Sequence, residues 1–251
     1  MTIDWGSLAA AAALAATFIF GDRLEAEFHS KRRGWLSAAA GMATAYVFVY
    51  LLPELFEAQA VFTKATAGMS LPFLERRVYS SALAGFVVMY GLEHLVSQTR
   101  EARRDEREKG GKGGFVYWCH VGSFALYGSL VSYLMAKEAH LGPLYLTLFF
   151  IAMSLHFLAI CHSLRVEHGA LYDRSGKWVL AGGVLAGWVA GTVSSLPEAF
   201  FATLMGLVGG GVVINSLIME LPKEKEGRFW PFFAGAFGYG IIVLLIFKVS
   251  N

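Results

Sequence analysis

Eight apolar runs, each close to the ~20 residues a helix needs to cross hydrocarbon, divide this chain. They lie at Trp5–Phe20, Trp35–Leu52, Val78–Leu95, Phe115–Ala136, Leu144–Leu164, Trp178–Ser194, Ala199–Leu221 and Phe229–Phe247. The charges between them constrain the fold further. Loops after runs 1, 3, 5 and 7 carry all of the 21 Lys and Arg except Lys64, Arg76, Arg77, Lys137 and Lys248. Cytoplasmic loops retain excess positive charge, and a miscounted helix would scramble this alternation. The pattern predicts an all-α integral membrane protein of eight transmembrane helices with both termini outside.

Composition sets the class. With 56% hydrophobic and 16% charged residues, the chain is too apolar for a water-soluble domain. The runs take up most of it, so residues 1–251 are expected to form a single transmembrane domain. The sequence suggests no nucleic-acid partner, because the basic loop interleaves Glu and Asp and lacks the aromatics of a stacking platform. Arg23 follows run 1 rather than preceding it, the reverse of a signal peptide, so this run is expected to be a retained helix. Cys119 and Cys161 fall inside runs and cannot build an extracellular disulfide framework.

Residues 97–114 (SQTREARRDEREKGGKGG) mix charges with a Gly/Lys tract. They are expected to be a flexible cytoplasmic linker between helices 3 and 4. The segment 53–77 reads as a long outer loop. Trp35–Glu54 can be laid without gaps on Leu204–Lys223, matching Gly41 with Gly210, Leu52 with Leu221 and Pro53 with Pro222. In both, a small-residue start leads to a helix-stopping Leu-Pro. The two runs have opposite orientation by charge, which is the pattern of an inverted repeat. Gly183, Gly187 and Gly191 form one stripe on run 6, where a neighbouring backbone could approach closely.

Ionisable side chains inside hydrocarbon are expensive and are therefore candidate functional groups. Glu54, Glu93 and Glu220 sit near run ends, whereas His120, His156 and His162 lie deeper. At 1.5 Å per residue, His120 is about 8 Å from the inner face, His162 about 5 Å and His156 about 14 Å. Imidazole and thiolate are natural ligands of zinc-like metals, so His120, His156, His162 and Cys161 are the candidate metal ligands. Ser123, Ser163 and Asn215 are supporting polar groups. His156 and His162 are about 240° apart around a helix and do not share a face. A site could then pair His120 with only one of them. Hydrogen bonding within the bundle and proton relay are the competing uses of such histidines.

LSAAAGMATAYVFVYLLPELFE in run 2, AGFVVMYGLEHL in run 3 and MGLVGGGVVINSLIMELPKE in run 7 resemble the ZIP family of divalent metal (zinc/iron) transporters. The resemblance implies a ZIP-like inverted-repeat (3+2+3) bundle and alternating access. In that family helices 4 and 5 carry a ligand with a Glu four residues on, commonly HNxPEG on helix 4. Here His120 and His156 match the ligand, but Phe124 and Ile160 stand where the acids would be, so the metal-site motifs are degenerate.

The expected function is therefore transport of a divalent, zinc-like cation across the bacterial inner (cytoplasmic) membrane, with no enzymatic activity. The cation would be substrate rather than a resident cofactor. The lipid bilayer and the ion are the expected partners, and a homodimer is compatible with the bundle. The alternative is a non-transporting ZIP-like scaffold or sensor without a working metal site.

Overall fold

A computed structural model describes residues 4–27, 32–67, 76–105, 113–216 and 228–250. Eight helices account for the regular structure, with no strand among the described residues. In chain order α1 is Trp5–Glu27, and α2 covers residues 32–65. α3 is Arg77–Asp105, α4 Gly113–Glu138, α5 Pro143–His168, α6 Lys177–Val193, α7 Glu198–Asn215 and α8 Phe229–Ser250. Every apolar run falls on one of them, save that residues 217–221 of run 7 lie outside the described residues. Among the described residues, four stretches are long and apolar enough to cross a membrane: Ala40–Ala65, Tyr117–Glu138, Leu146–His168 and Glu198–Asn215. Trp5–Gly21 and Phe229–Leu245 are shorter apolar helices. Leu83, Val87, Val88, Phe237 and Ile241 are exposed on the outside of the bundle, as lipid contact requires.

Pro53 does not end α2. The helix passes from Arg32–Ala45 through a π stretch, Tyr46–Leu51, into Leu52–Ala65. Proline removes one backbone donor, and widening the turn just before it lets the helix continue with altered pairing. The outer loop expected from residue 53 onward is therefore helical as far as Ala65. The equivalent Leu221-Pro222 lies outside the described residues. Helix also invades the expected linker. Residues 97–105 continue α3 and Gly113 opens α4, consistent with the strong helix preference of Glu, Arg and Gln; residues 106–112 lie outside the described set.

The main packed pairs are α4 with α6, α3 with α7, α2 with α8, α1 with both α5 and α6, and α2 with α7. Glycine makes the closest crossings. The run 6 stripe faces α4: a Cβ on Gly183 would lie 2.6 Å from the Ala125 carbonyl oxygen, and one on Gly191 would lie 2.9 Å from that of Tyr133. Two other crossings share one register. Gly41 of α2 abuts Phe232 and Ala236 of α8, while Gly235 abuts Ala38. Gly210 of α7 likewise abuts Ala82 and Phe86 of α3, while Gly85 abuts Leu207. The residue steps within the two sets are the same.

One face of α4 forms the spine of the interior. Tyr117, His120, Phe124, Tyr127, Val131, Leu134 and Glu138 follow one another at steps of three and four, and all are buried. Such spacing keeps them on a single stripe. Toward Glu138 the stripe borders a cavity of about 30 Å³, shared with Tyr46, Tyr50, Glu54, Met153 and Met205. Toward Tyr117 it reaches the candidate site.

Candidate metal centre

His120 has no solvent-accessible surface, yet both ring nitrogens meet polar partners from other helices. Nε2 lies 3.3 Å from Glu93 Oε1 on α3. Nδ1 lies 3.0 Å from His168 Nε2 and 3.2 Å from Glu167 Oε2 at the end of α5. Glu93 and Glu167 retain small solvent contacts, 13% and 15% of their side-chain surface. Both carboxylates thus keep a little exposed surface while facing a fully buried imidazole.

Local structure explains the placement. α5 ends after His168 because Gly169 adopts φ +51° and returns its N–H to the Arg165 carbonyl oxygen at 2.8 Å. That conformation favours glycine, and it leaves Glu167 and His168 in the last turn. His168 is braced by the Tyr117 ring, edge-on at a centroid distance of 5.0 Å. Tyr117 is anchored in turn, its hydroxyl donating to the Leu171 carbonyl oxygen at 2.8 Å and pairing with Ser175 Oγ at 2.7 Å. The Tyr172–Gly176 π turn that carries Ser175 is held by an Arg165–Asp173 ion pair at 3.1 Å. Burial beside Cys161 drives the Tyr172 phenol well above its ordinary range, so it stays neutral.

His120 Nδ1, Glu167 and His168 bring ligand atoms to within 4.8 Å of one another, making the only such His/Cys/Asp/Glu group among the described residues. Glu167 Oε2 is buried without an aligned hydrogen bond, although it lies at ion-pair distance from His120. Two imidazoles and a carboxylate are a donor set suited to zinc and similar metals. With His120 Nδ1 as ligand, Nε2–H donates to Glu93, the carboxylate–histidine–metal arrangement that fixes tautomer and ring orientation.

The candidates from sequence separate in space. His120 stands at this centre. His156 is buried elsewhere, 3.0 Å from the Tyr127 hydroxyl, which sits seven residues along α4 from His120, about 10 Å at the helical rise. Cys161 is buried with its Sγ directed at the Thr17 carbonyl oxygen, 3.7 Å away. His162 and Ser163 are half-buried and outside the centre. Ser123 bonds back to the Cys119 carbonyl oxygen of its own helix. Asn215 is completely buried, and neither its Oδ1 nor its Nδ2 has a hydrogen-bond partner among the described residues.

Sequence reasoning did not select Glu93, Glu167 and His168. The family spacing puts an acid four residues beyond each histidine, whereas the acids at His120 come from neighbouring helices. The available signal was an acid next to a histidine at or just beyond the C-terminal end of two runs, Glu93-His94 and Glu167-His168. Compared with known proteins, the chain matches no family model and no curated protein.

Proposed function

We propose that this chain is a ZIP-like membrane protein that binds a divalent transition-metal cation at His120, Glu167 and His168 and passes it across the cytoplasmic membrane by alternating access. The observation that carries the reading is a fully buried imidazole with an acid at each ring nitrogen and a second imidazole beside one of them. Glu93 and Glu167 together bring two negative charges, and a dication offsets them in a setting where unpaired charge is costly. The degenerate motifs of helices 4 and 5 thereby acquire their carboxylates from α3 and from the end of α5.

The packing supports an inverted repeat. Exchanging α1 with α6, α2 with α7, α3 with α8 and α4 with α5 turns α4·α6 into α5·α1 and α3·α7 into α8·α2, and leaves α1·α6 and α2·α7 unchanged. The same exchange superposes the Gly41 and Gly210 crossings residue for residue, and these two glycines are paired in the gapless alignment of runs 2 and 7. Halves related in this way can exchange conformations, which is how such folds present a site to alternate sides. On this reading all eight helices span the membrane, with both termini outside.

One observation favours the alternative, a scaffold or sensor that does not transport. Phe124 and the Tyr127–His156 pair fill the α4 stripe between the outer cavity and His120, and that cavity has room only for about one or two waters. Metal content of the purified protein, followed by zinc uptake into proteoliposomes, separates the readings. Transport predicts bound zinc that is lost in His120→Ala, with uptake by the native protein alone. Zinc bound without uptake makes the chain a sensor, and absence of zinc from the native protein removes the metal reading.

A further inference from the structure

The Asn215 amide, without a hydrogen-bond partner among the described residues, lies on the same row of α7 as Leu207 and Gly211. Leu207 of α7 packs against Gly85 of α3. Four residues on along both helices, a Cβ on Gly211 would lie 3.5 Å from Met89 and 2.9 Å from the Tyr127 ring of α4. Residues four apart share a helix face, so the next step of this row brings Asn215 to the level of Glu93. On α4 the same step leads from Tyr127 back toward Phe124 and His120. Asn215 itself is fully buried, with both amide atoms unsatisfied among the described residues. Native proteins seldom keep such a group without a partner.

We propose that His120 offers a second cation position on its Nε2 side, formed with the Glu93 carboxylate and the side-chain carbonyl of Asn215. The proposal rests on the metal-binding reading of the same centre. A neutral imidazole has one lone pair, so the two positions exclude each other. A cation at Nε2 requires the tautomer protonated at Nδ1, whose N–H then points at Glu167 and His168. A cation at Nδ1 requires the opposite tautomer, with Nε2–H donated to Glu93. The Nε2 position offers one nitrogen and two kinds of oxygen donor, which suits a borderline divalent transition-metal ion. It belongs to α3 and α7, whereas the Nδ1 position belongs to α5. One side chain therefore faces two helix groups that alternating access would move relative to each other.

The test uses zinc alone with the full chain in detergent, comparing calorimetric binding in four proteins. Native protein should bind one zinc, and His120→Ala none. The double variant Glu167→Gln/His168→Ala removes the Nδ1-side donors and should still bind one zinc, more weakly. Adding Asn215→Leu should lower this residual affinity roughly tenfold or more, whereas adding Asn215→Asp should raise it, because a carboxylate then replaces a neutral oxygen. Opposite effects of Leu and Asp cannot both come from misfolding. The second position is overturned if the folded double variant binds no zinc, or if neither change at Asn215 alters its affinity. Zinc binding by native protein that survives in His120→Ala would instead overturn the metal reading itself.

Discussion

Glu93 has the clearest role that a single substitution can isolate. Its carboxylate holds the His120 ring from outside the Nδ1 donor group, so Glu93→Gln keeps the shape while weakening the orientation and basicity of the imidazole. Outer carboxylates of this kind typically contribute 10–100-fold to metal affinity, and a loss of about that size is expected in zinc titrations. Affinity should also weaken as pH falls, because protons compete with the ion for the imidazole ligands. Titrations at pH 5.5 and 7.5 would show this, and equal affinity at the two values would mean the histidines are not ligands. The neutral Asn215 amide makes a separate prediction without metal. Replacing an unsatisfied buried amide by a similar apolar group relieves a cost of about 1–3 kcal/mol, so Asn215→Leu should melt no lower than the native protein.

Between helices, backbone contact at glycine sets the positions of the site's supports. α3 and α7 can approach each other because Gly85 and Gly210 lack side chains, and α4 packs on α6 through Gly183, Gly187 and Gly191. Any Cβ at Gly187 would run into the Ser129 backbone of α4, which cannot move aside as a flexible side chain could. Gly187→Leu should therefore displace α4, with loss of folded protein and of zinc binding together, scored by size-exclusion profile and thermal unfolding in detergent. A monodisperse Gly187→Leu protein with the native melting profile would contradict this packing. The π stretch of α2 is a different device. It carries Tyr46 and Tyr50 to the wall of the cavity beside Glu138 and lets the chain pass Pro53 without a break.

At the scale of the molecule, the uneven distribution of Lys and Arg predicts an orientation in the membrane. Cysteines introduced at Lys64 and Lys137 should react with an impermeant thiol reagent added to intact cells, and one at Lys109 should react only after lysis. Labelling at Lys109 in intact cells would invert the topology and place the His120 centre near the outer face.

The helices themselves were legible in the residues because hydropathy acts locally. An apolar run of sufficient length must satisfy its own backbone in hydrocarbon, and a helix does so within the segment. His120 was legible for a related reason, since a deep imidazole stands out against an apolar run. The stripe at Gly183, Gly187 and Gly191 likewise announced a close crossing without naming α4 as its partner. What lay beyond the sequence was which side chains would share a space. His120 meets Glu93 and His168 across separations of 27 and 48 residues. Those meetings depend on how α3, α4 and α5 pack and on where Gly169 stops α5. Glu167, on a different helix from His120, is set against it only by tertiary packing. Periodicity fixes the faces of one helix, whereas the partner of each face is decided by packing among all eight.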